Sequence, residues 1–189
     1  MKFEVINKKI EGMLEVVPEV YKDERGFLAR VYEEKDFRNL GFSRKWTEVS
    51  HHHTSKKNTL RGLYVQLSPF SEGKLLRVIK GKMLWISVDV RKDSKTFGVW
   101  DSAVLSEENK NVLMTARGLA HGCLSLENKT DLIIQSDNYF SAEHGVGIAW
   151  NDRDLNIDWQ IGDEVPFVSE RDKSYPSFEV FKEKYSLGI

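Results

Sequence analysis

Apolar segments in this chain are short, and glycines or polar clusters interrupt them at small intervals. That punctuation restricts the fold more than any other feature. Lys74-Leu75-Leu76-Arg77-Val78-Ile79 meets Lys80-Gly81-Lys82 and continues into Met83–Val90, which reads as strand, tight turn, strand. In the second of these strands Leu84, Ile86, Val88 and Val90 share one face, because side chains alternate along a strand. Gly26–Tyr32, Thr47–His53, Gly62–Gln66, Val99–Leu105, Asn111–Met114, Ala120–Ser125, Leu132–Ser136 and Gly147–Trp150 are further strand candidates. Many short strands with regular turn signals predict an all-β sandwich or barrel.

Helical signals are few. Glu33–Leu40, ahead of Gly41, predicts a short helix. Ser106-Glu107-Glu108 predicts a single turn capped by Ser106, and Phe178–Tyr185 after Pro176 predicts a C-terminal helix. No repeat or long linker divides the sequence, so residues 1–189 are expected to form one domain. A formal net charge of −1 supplies no global field for nucleic acid or a membrane surface, although a phosphate site needs only a few local cations. Met1–Val5 lacks the apolar run of a signal peptide, and no window approaches the roughly 20 apolar residues of a membrane span. The one cysteine, Cys123, excludes an intrachain disulfide and fits a reducing compartment, so a cytoplasmic protein is expected. Its apolar neighbours predict a buried, inert thiol.

Six clusters follow one another along the chain. They are Asp23-Glu24-Arg25-Gly26-Phe27, then Leu60-Arg61-Gly62-Leu63-Tyr64-Val65-Gln66 with Pro69 and Gly73-Lys74-Leu75. Val88-Asp89-Val90-Arg91 with Ser94 and Thr96-Phe97-Gly98 is the third, and Arg117-Gly118-Leu119-Ala120-His121-Gly122 the fourth. Glu143, Gly147–Asp152 and Leu155–Trp159 make the fifth, and Ser169-Glu170-Arg171-Asp172 with Pro176 the last. In this order they resemble the dTDP-4-dehydrorhamnose 3,5-epimerase family, from about residue 5 to about residue 176. The resemblance implies a cupin jelly roll, a homodimer with N-terminal strand exchange, a nucleoside-diphosphate sugar as ligand, and no cofactor.

Epimerisation beside a ketone needs a base on one face of the carbon, an acid on the other, and a cation or donor at the enolate oxygen. The family supplies a histidine base in Leu-Arg-Gly-Leu-His, an aspartate partner, a tyrosine acid on a later strand and a lysine near the enolate. Matched to this sequence, Lys74 and Asp172 are present, Tyr64 stands at the base position, and Ile134 aligns with the acid. Isoleucine has no proton to give. Tyrosine, with a pKa near ~10, is a base at neutral pH only if a cation such as Lys74 lowers it. Three readings stay open. Tyr64, as a repurposed acid or base with Asp172 and Lys74, epimerises one centre rather than two. Or a water or another side chain, Tyr139 or a histidine of the 51–53 run, has taken over. Or the protein binds a sugar nucleotide without proton chemistry on carbon. The plain alternative for Tyr64 is a packed phenol with its hydroxyl satisfied.

On a strand, His51 and His53 face one way and His52 the other. The family uses polar residues of this strand on the ligand, at the positions of Val49 and His51, so His51 and His53 are expected to touch substrate. A metal reading that joins either to His121 lacks a third ligand, and no metal is expected. Arg25 and Arg61 stand where the family binds the diphosphate, a task suited to the planar guanidinium fork. The family ends its first cluster in a glutamate that contacts the base, where this chain has Phe27-Leu28-Ala29-Arg30. Arg30 offers only donors, which match the N3 and O2 acceptors of cytosine better than the N3–H of thymine. Arg117 replaces a family glutamate and adds positive charge near His121, a polar sugar contact. Gln66, Tyr139 and Glu143 complete the expected ligand contacts, and His144 is expected in a solvated turn.

The resemblance thus implies an epimerase of a nucleoside-diphosphate 4-keto-6-deoxyhexose, acting at C3 alone, with CDP as candidate nucleotide. The product would be a deoxysugar for surface polysaccharide such as lipopolysaccharide O-antigen. A 3,4-ketoisomerase on the same scaffold and a non-catalytic sugar-nucleotide cupin are the alternatives.

Overall fold

The computed structural model describes residues 3–185. Along the chain come β1 (Glu4–Asn7), β2 (Met13–Val17), β3 (Val20–Asp23), β4 (Gly26–Ala29) and α1 (Glu34–Asn39). Then follow β5 (Glu48–Thr54), β6 (Thr59–Gln66), β7 (Lys74–Lys80), β8 (Lys82–Asp89), β9 (Trp100–Ser106) and β10 (Val112–Thr115). The C-terminal part holds β11 (Leu119–Ser125), β12 (Thr130–Ser136), β13 (Gly145–Gly147), β14 (Phe167–Val168), α2 (Glu170–Lys173) and α3 (Phe178–Lys184).

Two antiparallel sheets form the expected cupin sandwich. One runs β1-β2-β10-β7-β12-β5, the other β13-β6-β11-β8-β9, with the short β14 lying parallel beside β6. Among the described residues the β3–β4 hairpin pairs only with itself. Most expected strands appear within a residue or two, although β6 starts at Thr59, three residues ahead of the expected Gly62, and two others differ. The first, expected over 26–32, ends at Ala29, and the last is Gly145–Gly147, because residues 148–151 leave the sheet. The helix at 34–39 is capped by Glu33, whose carboxylate accepts from the Lys35 and Asp36 amides. Ser106 closes its turn by accepting from Asn109 N at 3.0 Å, without a helix forming. Ser177 caps α3.

Strand β8 is apolar on both faces, and each face has a core of its own. Met83 and Trp85 point between the sheets, onto Leu76, Val78, Leu105, Leu113, Leu132 and Cys123. Leu84, Ile86, Val88 and Val90 point the other way, onto Leu60, Leu124, Trp159 and the Phe178 and Phe181 rings of α3. Phe37 of α1 covers the outside of the first sheet against Val16, Leu75 and Val112. The third sequence cluster explains itself here. Burial works against the Asp89 carboxylate, but Arg91, Ser94 and Thr96 bond it at 2.7, 2.5 and 2.7 Å and hold its pKa below the usual range. Among the described residues no helix is long and apolar enough to cross a membrane.

Candidate active site

At one end of the sandwich the sheets part around a cleft of about 450 Å³. Its first wall is the sheet that contains β5, β7 and β12, through Glu48, Ser50 and His52 of β5, Lys74 of β7, and Ile134 and Ser136 of β12. The opposing wall is Tyr64 and Gln66 of β6 with His121 of β11. Arg171 and Tyr175 reach in from the C-terminal segment, and Phe140 and Ala142 stand in the lining from the loop before β13.

Tyr64 is held by the motif around it. Gly62 has φ +118, a conformation L side chains rarely adopt, and a Cβ there would meet Gly122 Cα at 2.6 Å. The Tyr64 hydroxyl donates to Asp172 Oδ2 at 2.5 Å, and the Gly62 amide donates to the same oxygen at 3.2 Å. Asp172 sits in α2, where Ser169 Oγ accepts its amide at 3.2 Å, and only 1% of the residue is exposed. The Arg171 guanidinium lies 5.1 Å from the centre of the Tyr64 ring, and the Tyr175 ring packs edge-on at 6.0 Å. Tyr175 finds room because position 147 is glycine: a Cβ there would lie 2.4 Å from its ring.

This geometry bears on whether Tyr64 would act as an acid or as a base. Burial, then the hydrogen bond and charge of Asp172, push the phenol above its ordinary pKa, against a smaller opposing pull from Arg171. Lys74 does not lower it, because its ammonium is bound to Glu72 Oε1 at 2.6 Å and Ser136 Oγ at 3.4 Å. Tyr64 is therefore a protonated donor and not a phenolate base. Lys74 is buried and lines the cleft beside Glu72.

His121 stacks on Trp85 at 5.1 Å and lies 6.1 Å from the Tyr64 ring. Burial and the nearby Lys74 charge hold its pKa well below the usual value, so it stays neutral at pH 7. Gln66 lines the cleft, but its amide is consumed by the surrounding backbone: it donates to Phe70 O and Tyr139 O and accepts from Ser141 N at 2.6 Å. It positions the rim loop.

The histidine run is the clearest correction. His51 and His53, expected at the ligand, point out of the sandwich and share Asp131 Oδ1 at 3.1 and 2.7 Å. His52 is the member that faces the cleft. Strand alternation was read correctly, but which parity faces inward is set by pairing with β12, where His52 stands opposite Leu132 of the core.

Other expected contacts lie apart from the cleft. Arg117 and Arg44 both pair with the buried Asp137, at 3.2 and 3.3 Å, and so fix the loop after β12. Tyr139 and Glu143 are exposed and do not line the cleft. Arg61 is exposed on β6, close enough for its charge to depress His52. Arg25 binds Asp23 at 2.5 Å on the β3–β4 hairpin, and Arg30 follows that hairpin in the open. Cys123 is buried and its thiol is pushed up to about 12, as expected of an inert side chain. His144 is half-buried in its turn, bonded to Ser141 Oγ at 2.8 Å. Among the described residues no group of three or more His, Cys, Asp or Glu is placed to hold a metal ion. Sequence reasoning missed Glu72, Arg171 and Tyr175, and held His52 only as one unspecified histidine of the 51–53 run. Only Arg171 carried a signal, as the neighbour of Asp172 in the last cluster.

Comparisons with known proteins agree with this architecture. The family model described as dTDP-4-dehydrorhamnose 3,5-epimerase matches residues 7–180. The enzyme of that name from Salmonella typhimurium is 38% identical over 173 residues, 91% of this chain and 93% of that one. The crystal structure of the Legionella pneumophila epimerase RmlC, in complex with dTDP-4-keto-L-rhamnose, superposes with a TM-score of 0.90 at 31% identity, covering 97% of this chain and 96% of that one. ChmJ from Streptomyces bikiniensis, a 3'-monoepimerase solved as a double mutant with dTDP, has a TM-score of 0.88 at 25% identity, covering 94% and 89%. With the motifs in order, the jelly roll in place and the match running nearly end to end, the chain belongs to the dTDP-4-dehydrorhamnose 3,5-epimerase family of nucleotide-sugar epimerases.

Proposed function

We propose that this chain epimerises a nucleoside-diphosphate 4-keto-6-deoxyhexose at C3 alone, on the way to a deoxysugar of surface polysaccharide. One observation carries the reading. Lys74 and the Tyr64–Asp172 pair line or support the cleft, while the wall position matched to the family's acid is the apolar Ile134. Lys74 is suited to hold the enolate oxygen, and Tyr64 to give a proton to the carbon beside it. A relative described as a 3'-monoepimerase gives precedent for one-centre chemistry on this fold. Incubation with dTDP- and CDP-linked 4-keto-6-deoxyglucose in heavy water should place deuterium at C3 and not at C5. Absence of exchange with both substrates would refute the reading.

The nucleotide is read as CDP, because Arg30 replaces an acceptor with donors. Calorimetric titration should show tighter binding of CDP than of dTDP, and equal affinities would remove the argument. Arg25 sits in the turn of, and Arg30 just after, a hairpin that among the described residues pairs with no other strand and exposes Phe27 (55%) and Leu28 (59%). A homodimer in which this arm crosses to the neighbouring copy would cover those side chains and bring both arginines to the partner's cleft. A monomeric mass by light scattering at micromolar concentration would count against it. The second reading, a cupin that binds sugar nucleotides without catalysis, is favoured by Ile134 and predicts binding without exchange.

A further inference from the structure

We propose that His52 is the proton-accepting group of the cleft, working from the wall opposite Tyr64. The inference rests on the epimerase reading and supplies the base that reading lacks.

Inversion at carbon requires proton carriers on two faces of the sugar ring. The two sheets provide those faces, and Tyr64 belongs to the sheet of β6 and β11. On the facing sheet, Glu48 accepts from the Phe140 amide at 3.1 Å, Lys74 is paired with Glu72, and Ile134 has no proton chemistry. His121 stands on Tyr64's own sheet, flat against Trp85. His52 remains. Its imidazole lines the cleft and has no hydrogen-bond partner among the described residues. The charged and titratable groups around it are Arg61 and Tyr64 of β6, Lys74 of β7 with Glu72 before it, His121 of β11, Arg171 and Tyr175 of the C-terminal segment, and Glu48 and His51 on its own strand. His52 is exposed at the mouth of the cleft, so its desolvation is only partial; that, with the charges of Arg61, Lys74 and His51, lowers its pKa from the usual histidine value, and the ring is neutral and able to accept at pH 7.

The steps balance. The C3–H bond breaks, its proton goes to the free ring nitrogen of His52, and its electron pair becomes the enolate, with the negative oxygen at Lys74. The enolate pair then forms a new C3–H bond on the other face with the Tyr64 hydroxyl proton. The phenolate left behind lies beneath the Arg171 guanidinium. Water returns a proton to Tyr64 and removes one from His52.

The test compares wild type, His52→Gln, Tyr64→Phe and His53→Gln in heavy water, with dTDP- and CDP-linked 4-keto-6-deoxyglucose. His52→Gln should lose deuterium uptake by about 100-fold or more, the usual scale of a lost general base. Its nucleotide affinity and Tm should stay near wild type, which a merely structural role would not allow. Tyr64→Phe should keep uptake at C3 while losing the inverted product, because it lacks only the returning proton. His53→Gln, pointing outward, should match wild type. Wild-type kcat/KM should rise with pH through an apparent pKa below ~6.5, and the rise should vanish in His52→Gln. Wild-type exchange that His52→Gln retains overturns the role of His52 while leaving the epimerase reading intact. No exchange by wild type ends both.

Discussion

Replacing Tyr64 by phenylalanine removes one oxygen and tests the central claim about the cleft. That oxygen donates to Asp172 at 2.5 Å, and the acceptor is only 1% exposed. A hydrogen bond to a charged group is worth about 1.5–3 kcal/mol. Asp172 keeps the Gly62 amide at 3.2 Å and Arg171 Nε at 3.3 Å, so the lower part of that range applies. We expect a loss of about 2 kcal/mol near pH 8, or about 4–8 °C in Tm for a chain of this size. The pH dependence is more diagnostic. Folding raises the Tyr64 pKa, so the folded chain holds this proton where the unfolded chain has released it. The stabilisation is complete below the unfolded pKa of ~10 and fades as pH rises toward the folded value. The wild type should therefore lose its advantage over Tyr64→Phe above pH ~10, by at most about 1.4 kcal/mol per pH unit and less where the open cleft screens the phenol. Urea unfolding of both proteins at pH 8, 10 and 11 measures the difference directly. A gap that stays constant across those pH values refutes the claim that Asp172 and burial hold Tyr64 protonated.

Lys74→Met should lower turnover by about 10²–10³-fold, the cost of losing a placed charge at a developing oxyanion. The variant also leaves Glu72 unpaired in a buried site, so kcat and Tm should both fall while affinity for free nucleotide is unchanged. Ile134→Tyr returns a phenol to the sheet facing Tyr64, and deuterium should then appear at C5 as well as C3; labelling confined to C3 would show that this position does not set the centre. Gly147→Ala places a methyl 2.4 Å from the Tyr175 ring. It should cost about 1–3 kcal/mol by overpacking and reduce turnover by displacing Tyr175 from the cleft, which thermal melts and steady-state kinetics will show.

Much of the fold was legible because it depends on local chemistry. Glycine-punctuated apolar runs gave strands close to those observed, and serine and proline marked the start of α3. β1, β2 and β3 were missed: β1 and β3 are short and largely exposed, and β2, Met13–Val17, is a five-residue run buried at Met13, Glu15 and Val16 with no turn signal singled out beside it. β14 was missed because two residues beside β6 carry no periodicity. Lys74, Asp172 and Tyr64 could be placed because each lies in an ordered motif. Arg117 could not be assigned to Asp137, because nothing in the sequence says that positions 20 residues apart meet at the same loop.

By itself the sequence determined the pattern of short strands, since residue type and spacing are local facts, and its resemblance to the epimerase family implied the cupin architecture, a sugar-nucleotide ligand and the replacement of the family's histidine and tyrosine at positions 64 and 134. Only the tertiary structure decided which histidine faces the cleft and which state Tyr64 holds. Strand parity becomes inward or outward only when β5 pairs with β12, a choice that shifts every side chain to the other face if it slips by one residue. The phenol's proton is likewise fixed by Asp172, which lies 108 residues away along the chain and reaches it only through folding.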